Sequence, residues 1–216
     1  MGGGWILAVD LGTGGPKVGA VSLQGEVIAH SHAPVHTRYT PDGGAVQDPN
    51  EWWHAIEAGV RGLVASKAAP VDDLIALGIT GQWGSTVPVG ADGRAVGDCL
   101  LWADTRGGQF SAKAVGGPVS LFGYSPGNMV RWIQITGGAP SPNGADPLGH
   151  ELYLRHREPD VYAAARWALS LPSLLAIATH SSALRATVSC TPTIPRMAAA
   201  CRPRIMAPSK VTIGMS

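Results

Sequence analysis

The chain has 216 residues with a formal net charge of +1, and charged residues make up only 14 % of it. So weak a charge gives no electrostatic reason to expect nucleic acid or an anionic membrane as a partner. No apolar run reaches the roughly 18 residues of a membrane span, and the N-terminus lacks the basic flank and apolar core of a signal peptide. The three cysteines, Cys99, Cys190 and Cys201, show no metal-binding spacing. We therefore expect a globular protein of the cytoplasm with neither nucleic acid nor a membrane as partner.

The first thirty residues predict three strands. Residues 5–10 (WILAVD) form a short apolar strand that ends in a carboxylate, and a Gly-rich turn at 11–16 leads into residues 17–22. A second turn at 24–25 leads into a third strand at 26–30. Adjacent strands joined by such short turns predict an antiparallel meander and not a dinucleotide-binding βαβ unit.

A helix is predicted to begin directly after Asp48. Asp48 can cap it, Pro49 suits the first helical position, and Glu51 lies three residues after the cap, as in a capping box. Apolar residues then recur at helical spacing through residue 64, so one face of this helix is expected to pack on a core.

The remaining elements alternate strands and helices. Residues 74–80 (LIALGIT) form a continuous apolar run, which is typical of a strand buried on both faces. Trp102 follows another apolar run and is expected to lie in the core. The further elements are strands at 86–89 and 99–102 joined by a hairpin, helices near 127–135 and 149–165, and a strand at 166–170. The order of elements predicts a mixed α/β fold.

The Gly-rich turn carries the strongest chemical signal. Glycines let backbone N–H groups approach a phosphate, Thr13 can donate its hydroxyl, and Lys17 adds a positive charge. Asp10 could hold Mg²⁺ through water. The alternative interpretation is a hairpin turn with an incidental carboxylate, and the spacing alone leaves both open.

Other segments form an ordered set with this turn. They are residues 47–53 (QDPNEWW), 80–85 (TGQWGS), 100–106 (LLWADTR) and 156–162 (HREPDVY). With the turn at 10–17, they resemble the FGGY family of carbohydrate kinases in the actin and hexokinase superfamily. The segments match the start of the family's first helix, its substrate loop, its Leu-Trp-x-Asp-x-Arg stretch and a later helix. Within the family, the segments resemble those of xylulokinases.

The resemblance implies ATP-dependent phosphorylation of a sugar or polyol hydroxyl by a protein that uses ATP and Mg²⁺. It implies a ribonuclease-H-like N-terminal domain, whose mixed sheet is flanked by helices, with the substrate in an interdomain cleft. The residues implied on the nucleotide side are Asp10, which would also assist the metal, Gly12, Thr13 and Lys17. The residues implied on the substrate side are Gly81, Gln82, Trp83, Asp104 and Arg106.

The chain also departs from the family. The family's general base, an aspartate, lies beyond the point where the pattern is lost, and all fifteen acidic residues lie at or before Asp160. We expect an incomplete kinase N-terminal domain over residues 1–172 and an irregular tail over 173–216, which is either native or translated out of frame. Turnover would then be impaired unless a separate second kinase half or a second copy completes the site.

Two other hypotheses remain open on the sequence. One is a non-catalytic sugar- or nucleotide-binding remnant, and the other is a product that folds poorly because partner elements are missing. The identity of the sugar is open as well, because Trp83 and Gly84 replace the Met-His pair that is typical of xylulokinases.

Overall fold

The structure is a computed structural model that describes residues 4–119, 123–139, 141–170 and 173. The expected irregular tail therefore lies, apart from its first residue, outside the described residues. The strands are β1 (Trp5–Gly12), β2 (Gly15–Ser22), β3 (Val27–His32), β4 (Arg38–Tyr39), β5 (Ala45–Gln47), β6 (Leu74–Gly81), β7 (Val87–Val89), β8 (Cys99–Leu100) and β9 (Trp167–Leu169). The α-helices are α1 (Pro49–Ser66), α2 (Gly108–Val115), α3 (Pro126–Thr136), α4 (Pro147–Arg157) and α5 (Pro159–Ala164), and a 3-10 turn spans Val71–Asp73.

The central sheet has four strands in the order β3-β2-β1-β6. β1 pairs antiparallel with β2, and β2 pairs antiparallel with β3, so the predicted meander is confirmed. β1 pairs in parallel with β6. The sheet is therefore mixed, as the family resemblance implied. Two small sheets complete the fold, one with the order β4-β5-β8 and one that pairs β7 with β9.

Helix α1 covers one face of the central sheet. Alternate residues of β1 are buried on this side, since successive side chains of a strand point to opposite faces. The core residues contributed by β1 and α1 are Trp5, Leu7, Val9, Leu11, Trp52, Ile56, Val60 and Leu63. The helix begins at the predicted residue: the Asp48 side chain accepts a hydrogen bond from the backbone N–H of Asn50 at 2.8 Å, and Pro49 is the first helical residue. The capping box was wrong, because the Glu51 carboxylate accepts from the backbone N–H of His36.

The opposite face of the central sheet is open in the described part of the chain. Ala8, Val21 and Val27 line an open groove of about 800 Å³ there, and Val27 is 62 % exposed. We call this surface the open face. A large exposed apolar patch marks an interaction surface or an aggregation liability.

Strand β6 departs from its prediction. The apolar run indicated burial on both faces, but Ile75 is 50 % exposed, so that expectation was wrong. The reason is that one face of β6 belongs to the open face, where Gly78 and Thr80 line the groove.

The hairpin predicted between residues 86–89 and 99–102 is confirmed: Thr86 bridges Leu100, Val89 bridges Ala95, and the Gly90 N–H donates to the Arg94 carbonyl across the turn. In addition, β7 pairs with β9 and β8 with β5.

One further expectation needs correction. The helix predicted over 149–165 is divided into α4 and α5 at Glu158, because Pro159 lacks the N–H that would continue the helical hydrogen bonding. Among the described helices, none is both long enough and apolar enough to cross a bilayer.

Candidate functional site

The Gly-rich turn and the loop after β6 leave the sheet at the same edge. β1 ends at Gly12 and its parallel neighbour β6 ends at Gly81, and the backbone N–H of Gln82 donates to the carbonyl of Leu11 at 3.0 Å. In open sheets of this kind, ligands bind at the carboxyl ends of parallel strands. The edge therefore joins the two segments that the sequence singled out.

Thr13 connects these segments through its side chain. Its hydroxyl accepts a hydrogen bond from the indole Nε1 of Trp102 at 3.1 Å and donates one to the Oε1 of Gln82 at 2.9 Å. We call these three side chains the relay. The expectation that Trp102 lies in the core was wrong. Its side chain is 50 % exposed, because the indole lies beside the Gly-rich turn and its N–H donates to the Thr13 hydroxyl.

A second indole lies next to the relay. Trp83 is 82 % exposed, and the following residue, Gly84, adopts φ +77°, a left-handed conformation that favours glycine. The turn therefore leaves the Trp83 ring accessible to a ligand. An exposed indole can stack on the apolar C–H face of a sugar.

Gln47 supports the turn from the core side. It is fully buried, and its Nε2 donates to the carbonyl of Thr13 at 2.7 Å and to the Thr37 hydroxyl at 2.8 Å. Its Oε1 accepts from the indole of Trp52 at 3.0 Å. Gln47 lies in the predicted helix-start motif, and its support of the turn was not predicted, although a polar residue directly before the packed helix was a usable signal.

Asp10 and Lys17 lie opposite each other on the first hairpin. They are cross-strand partners, and their side chains form an ion pair at 3.3 Å while remaining partly exposed. Thr13 and Gly14 form the two-residue turn beyond them. Gly15 has φ +122°, and a Cβ there would collide with the carbonyl of Ala33, so a glycine is required at that position.

The Asp10 carboxylate fits one kind of Mg²⁺ site. Among the described residues, no group of three or more His, Cys, Asp or Glu side chains is arranged to hold a metal ion. Mg²⁺ commonly keeps several waters and is held by one or two carboxylates together with substrate phosphates. Asp10 fits that arrangement, and a cage made entirely of protein ligands does not.

Asp104 and Arg106 lie together because their side chains pair with each other. Asp104 is fully buried, and its carboxylate accepts hydrogen bonds from the guanidinium of Arg106, at 2.7 Å from Nη2, and from the backbone N–H of Ala45 at 3.0 Å. Arg106 also donates to the Tyr153 hydroxyl at 2.8 Å. Burial alone would lower the pKa of Arg106, but its hydrogen bonds and charge interaction with Asp104 raise it above the ordinary value. These contacts are structural, and sugar binding by this pair stays a prediction.

His150 was not singled out by the sequence. It is fully buried on α4, and its Nδ1 lies 3.0 Å from the hydroxyl of Thr86, at the end of the loop that starts with Gln82. Burial lowers its pKa below the ordinary value. His150 therefore attaches α4 to the base of this loop.

The meander, the parallel fourth strand, the helix between β3 and β6 and the Gly-rich turn define a ribonuclease-H-like domain of the actin and hexokinase type. The sequence profile of the FGGY family of carbohydrate kinases, N-terminal domain, matches residues 5–114. The chain belongs to the FGGY family of carbohydrate kinases.

Named relatives agree with this assignment. The chain is 30 % identical over 142 residues to a glycerol kinase of Beijerinckia indica, a match that covers 60 % of this chain and 28 % of the relative. It is 35 % identical over 103 residues to a xylulose kinase of Staphylococcus epidermidis, covering 47 % and 20 %. The crystal structure of a xyloylose kinase from Brucella ovis superposes with a TM-score of 0.67 at 22 % identity, covering 80 % of this chain and 33 % of that one. The chain thus spans a third or less of the length of these relatives.

Proposed function

We propose that this chain forms the sugar-binding part of a cytoplasmic carbohydrate kinase, which transfers a phosphoryl group from ATP, with Mg²⁺, to a hydroxyl of a sugar or polyol. One observation carries the proposal. The Thr13–Gln82 hydrogen bond joins the Gly-rich turn to the loop after β6 at the carboxyl ends of two parallel strands. A kinase must bring a phosphoryl donor and an acceptor to one such place.

The sugar side consists of Gly81, Gln82 and Trp83. The Gln82 amide can hydrogen-bond a hydroxyl, and the exposed Trp83 ring can cover a C–H face. Trp102 borders the same surface through Thr13. The relatives named above are kinases of a polyol, glycerol, and of a keto sugar, xylulose, so the choice of substrate depends on these side chains and not on the family.

The phosphate side consists of Lys17, Asp10 and the turn from Gly12. The Lys17 ammonium group would neutralise a phosphate oxygen, and the Asp10 carboxylate would orient a water of the Mg²⁺ shell. Phosphoryl transfer depends mostly on such positioning and charge neutralisation, and the metal supplies part of that charge.

Binding without full turnover is the second candidate, and the state of the carboxylates favours it. Asp10 is paired with Lys17, and Asp104 is committed to Arg106. Neither is placed as a free base beside Gln82. We propose that the general base belongs to the rest of the kinase, so that this chain alone binds ligand but turns over slowly.

The partner that completes the site is proposed to dock on the open face. The chain spans a third or less of its relatives, and the apolar side chains of the open face have no helix packed on them in the described part. The occupant we propose is the remainder of the kinase. Size-exclusion chromatography with light scattering tests which occupant covers this face. If the chain alone forms a homodimer that Val27→Glu abolishes, a second copy covers the open face and the proposal is contradicted.

Ligand binding tests the function directly. The full chain is titrated with Mg·ATP, xylulose and glycerol, and stability and tryptophan fluorescence are followed. A ligand at 100 times its dissociation constant should add about 2.7 kcal/mol of stability. Gln82→Met should abolish the effect of the polyol, and Gln24→Met, at an exposed turn, should not. No stabilisation by any polyol or by Mg·ATP would refute the proposal.

A further inference from the structure

We propose that His150 is a positioning residue for the sugar side of the site: through Thr86 it holds in place both the loop that carries Trp83 and the turn that carries Trp102. The inference deepens the proposed function and rests on it. His150 lies on α4, beyond the residues that the family profile matches and outside the segments that carry the resemblance.

His150 reaches the loop after β6 from the first turn of α4. Its imidazole is fully buried, and its Nδ1 lies 3.0 Å from the hydroxyl of Thr86, which is buried as well. The other ring nitrogen, Nε2, has no hydrogen-bond partner within the described residues. A buried polar group is unfavourable unless it is hydrogen-bonded, and here the imidazole and the hydroxyl bond each other. The contact with Thr86 is therefore what the imidazole contributes beyond its volume.

Thr86 is also joined to the segment that carries Trp102. The backbone N–H of Thr86 donates to the carbonyl of Leu100 at 2.8 Å, and the N–H of Leu100 donates to the carbonyl of Thr86 at 2.9 Å. Directly after Leu100, the N–H of Asp104 donates to the carbonyl of Leu101 at 2.8 Å and closes a turn. Trp102 is the second residue of this turn. A movement of Thr86 would therefore move Trp102 together with the loop after β6.

The two segments meet beneath the indoles. A Cβ placed on Gly84, the residue after Trp83, would lie 3.4 Å from the Cβ of Trp102, so the loop backbone packs against the base of that side chain. The rings themselves remain 82 % and 50 % exposed. A binding site requires its groups to be held within about 0.5 Å of the productive geometry by contacts behind them. For these two indoles, the contact of His150 with Thr86 is such a support.

The test separates the hydrogen bond from the volume of the side chain. His150→Leu removes both ring nitrogens, whereas His150→Asn places an amide group where Nδ1 lies and can still bond Thr86. His150→Leu and Thr86→Val should each raise the Kd for xylulose or glycerol about tenfold, and His150→Asn should raise it by less than about threefold. The double variant of His150→Leu and Thr86→Val should bind no more weakly than His150→Leu, because both changes remove the same contact.

A stability control excludes a merely structural effect. Leu63→Ala creates a cavity between α1 and the central sheet, away from both loops, and lowers the stability of the chain. The Kd for the polyol should stay within about twofold in this variant. Circular dichroism verifies folding, and Thr86→Val carries the test if His150→Leu does not fold.

Fluorine NMR of the full chain labelled with 5-fluorotryptophan gives a readout without ligand. The resonances of Trp83 and Trp102, assigned with Trp83→Phe and Trp102→Phe, should shift or broaden in Thr86→Val and in His150→Leu and keep their positions in Leu63→Ala. Unchanged resonances in both of the former variants, or an equal loss of polyol affinity in Leu63→Ala, refute the positioning role. A wild-type chain that binds no polyol refutes the proposed function, whereas the fluorine spectra alone decide whether His150 positions the indoles.

Discussion

Gln47 connects the core to the site, and its replacement by methionine tests that connection. Methionine has a similar length and no polar hydrogen, so Gln47→Met removes three hydrogen bonds with little change in volume. The indole N–H of Trp52 is then left unpaired in the core, since Trp52 is buried. The Thr13 carbonyl and the Thr37 hydroxyl are nearer to solvent and can recover part of their bonding from water.

The expected loss follows from these three terms. An unpaired buried donor costs about 2 kcal/mol, and each partly exposed partner adds about 0.5 kcal/mol, for a total of about 3 kcal/mol. In a chain of this size that loss lowers the Tm by about 6 to 12 °C. Thr13 also loses its support, so polyol affinity should fall together with stability.

Urea denaturation followed by circular dichroism gives the measurement. The midpoint should fall while the slope m stays constant, which shows a change of stability and not of compactness. Gln24→Met, at an exposed position of the β2–β3 turn, serves as the matched control and should change stability by less than about 0.5 kcal/mol. Combination with Trp52→Phe should recover about 1 kcal/mol of the summed losses, because both variants remove the same bond. A loss under about 1 kcal/mol for Gln47→Met would show that the core does not depend on this residue.

Three further variants test other parts of the structure. Gly15→Ala should lower the stability by about 2 kcal/mol or more in a thermal melt, because Gly15 has a left-handed φ and no room for a Cβ. Gly14→Ala places its Cβ in open space and should leave the stability unchanged. Equal losses at both positions would contradict this geometry. Arg106→Leu should lower the free energy of unfolding in urea by about 3 to 5 kcal/mol, because the Asp104 carboxylate then stays buried without its partner. Arg94→Leu, at an exposed ion pair, should change it by under about 0.5 kcal/mol. A small effect at both positions would show that the buried ion pair is dispensable. Burial lowers the pKa of His150 in the folded state, so its contribution to stability is complete above about pH 6.5 and is lost as the pH falls through the folded pKa. His150→Gln should flatten the fall of stability between about pH 7 and about pH 5, and an unchanged slope would contradict the assignment.

Local signals explain the parts of the fold that the sequence predicted. The cap at Asp48, the proline after it and the short turns of the meander act within a few residues, so each could be recognised from its neighbours. The division of the long predicted helix at Glu158 was also a local effect, which the proline at the next position signals. The mixed sheet followed from these elements and from the resemblance.

Contacts between distant segments explain what the sequence did not predict. β7 and β8 are joined by the predicted hairpin, but their other sheet partners, β9 and β5, come from separate parts of the chain, so the hairpin's own residues do not specify them. Trp102 followed an apolar run that pointed to the core, but its N–H finds its acceptor 89 residues away. The exposure of Ile75 depends on which elements cover the sheet, and the sequence of one strand does not indicate that. The candidate site was therefore predicted as a set of residues, and its internal hydrogen bonds were not.

The parallel pairing of β1 with β6 has a consequence for how the protein folds. The hairpins and α1 close short loops, whereas the contact between Thr13 and Gln82 spans 69 residues and the one from Trp102 to Thr13 spans 89. Loop closure of that length comes late, after local contacts have formed. Substitutions in the relay should therefore accelerate unfolding and leave the refolding rate almost unaltered. Bound sugar should slow unfolding by a factor that corresponds to the stability it adds.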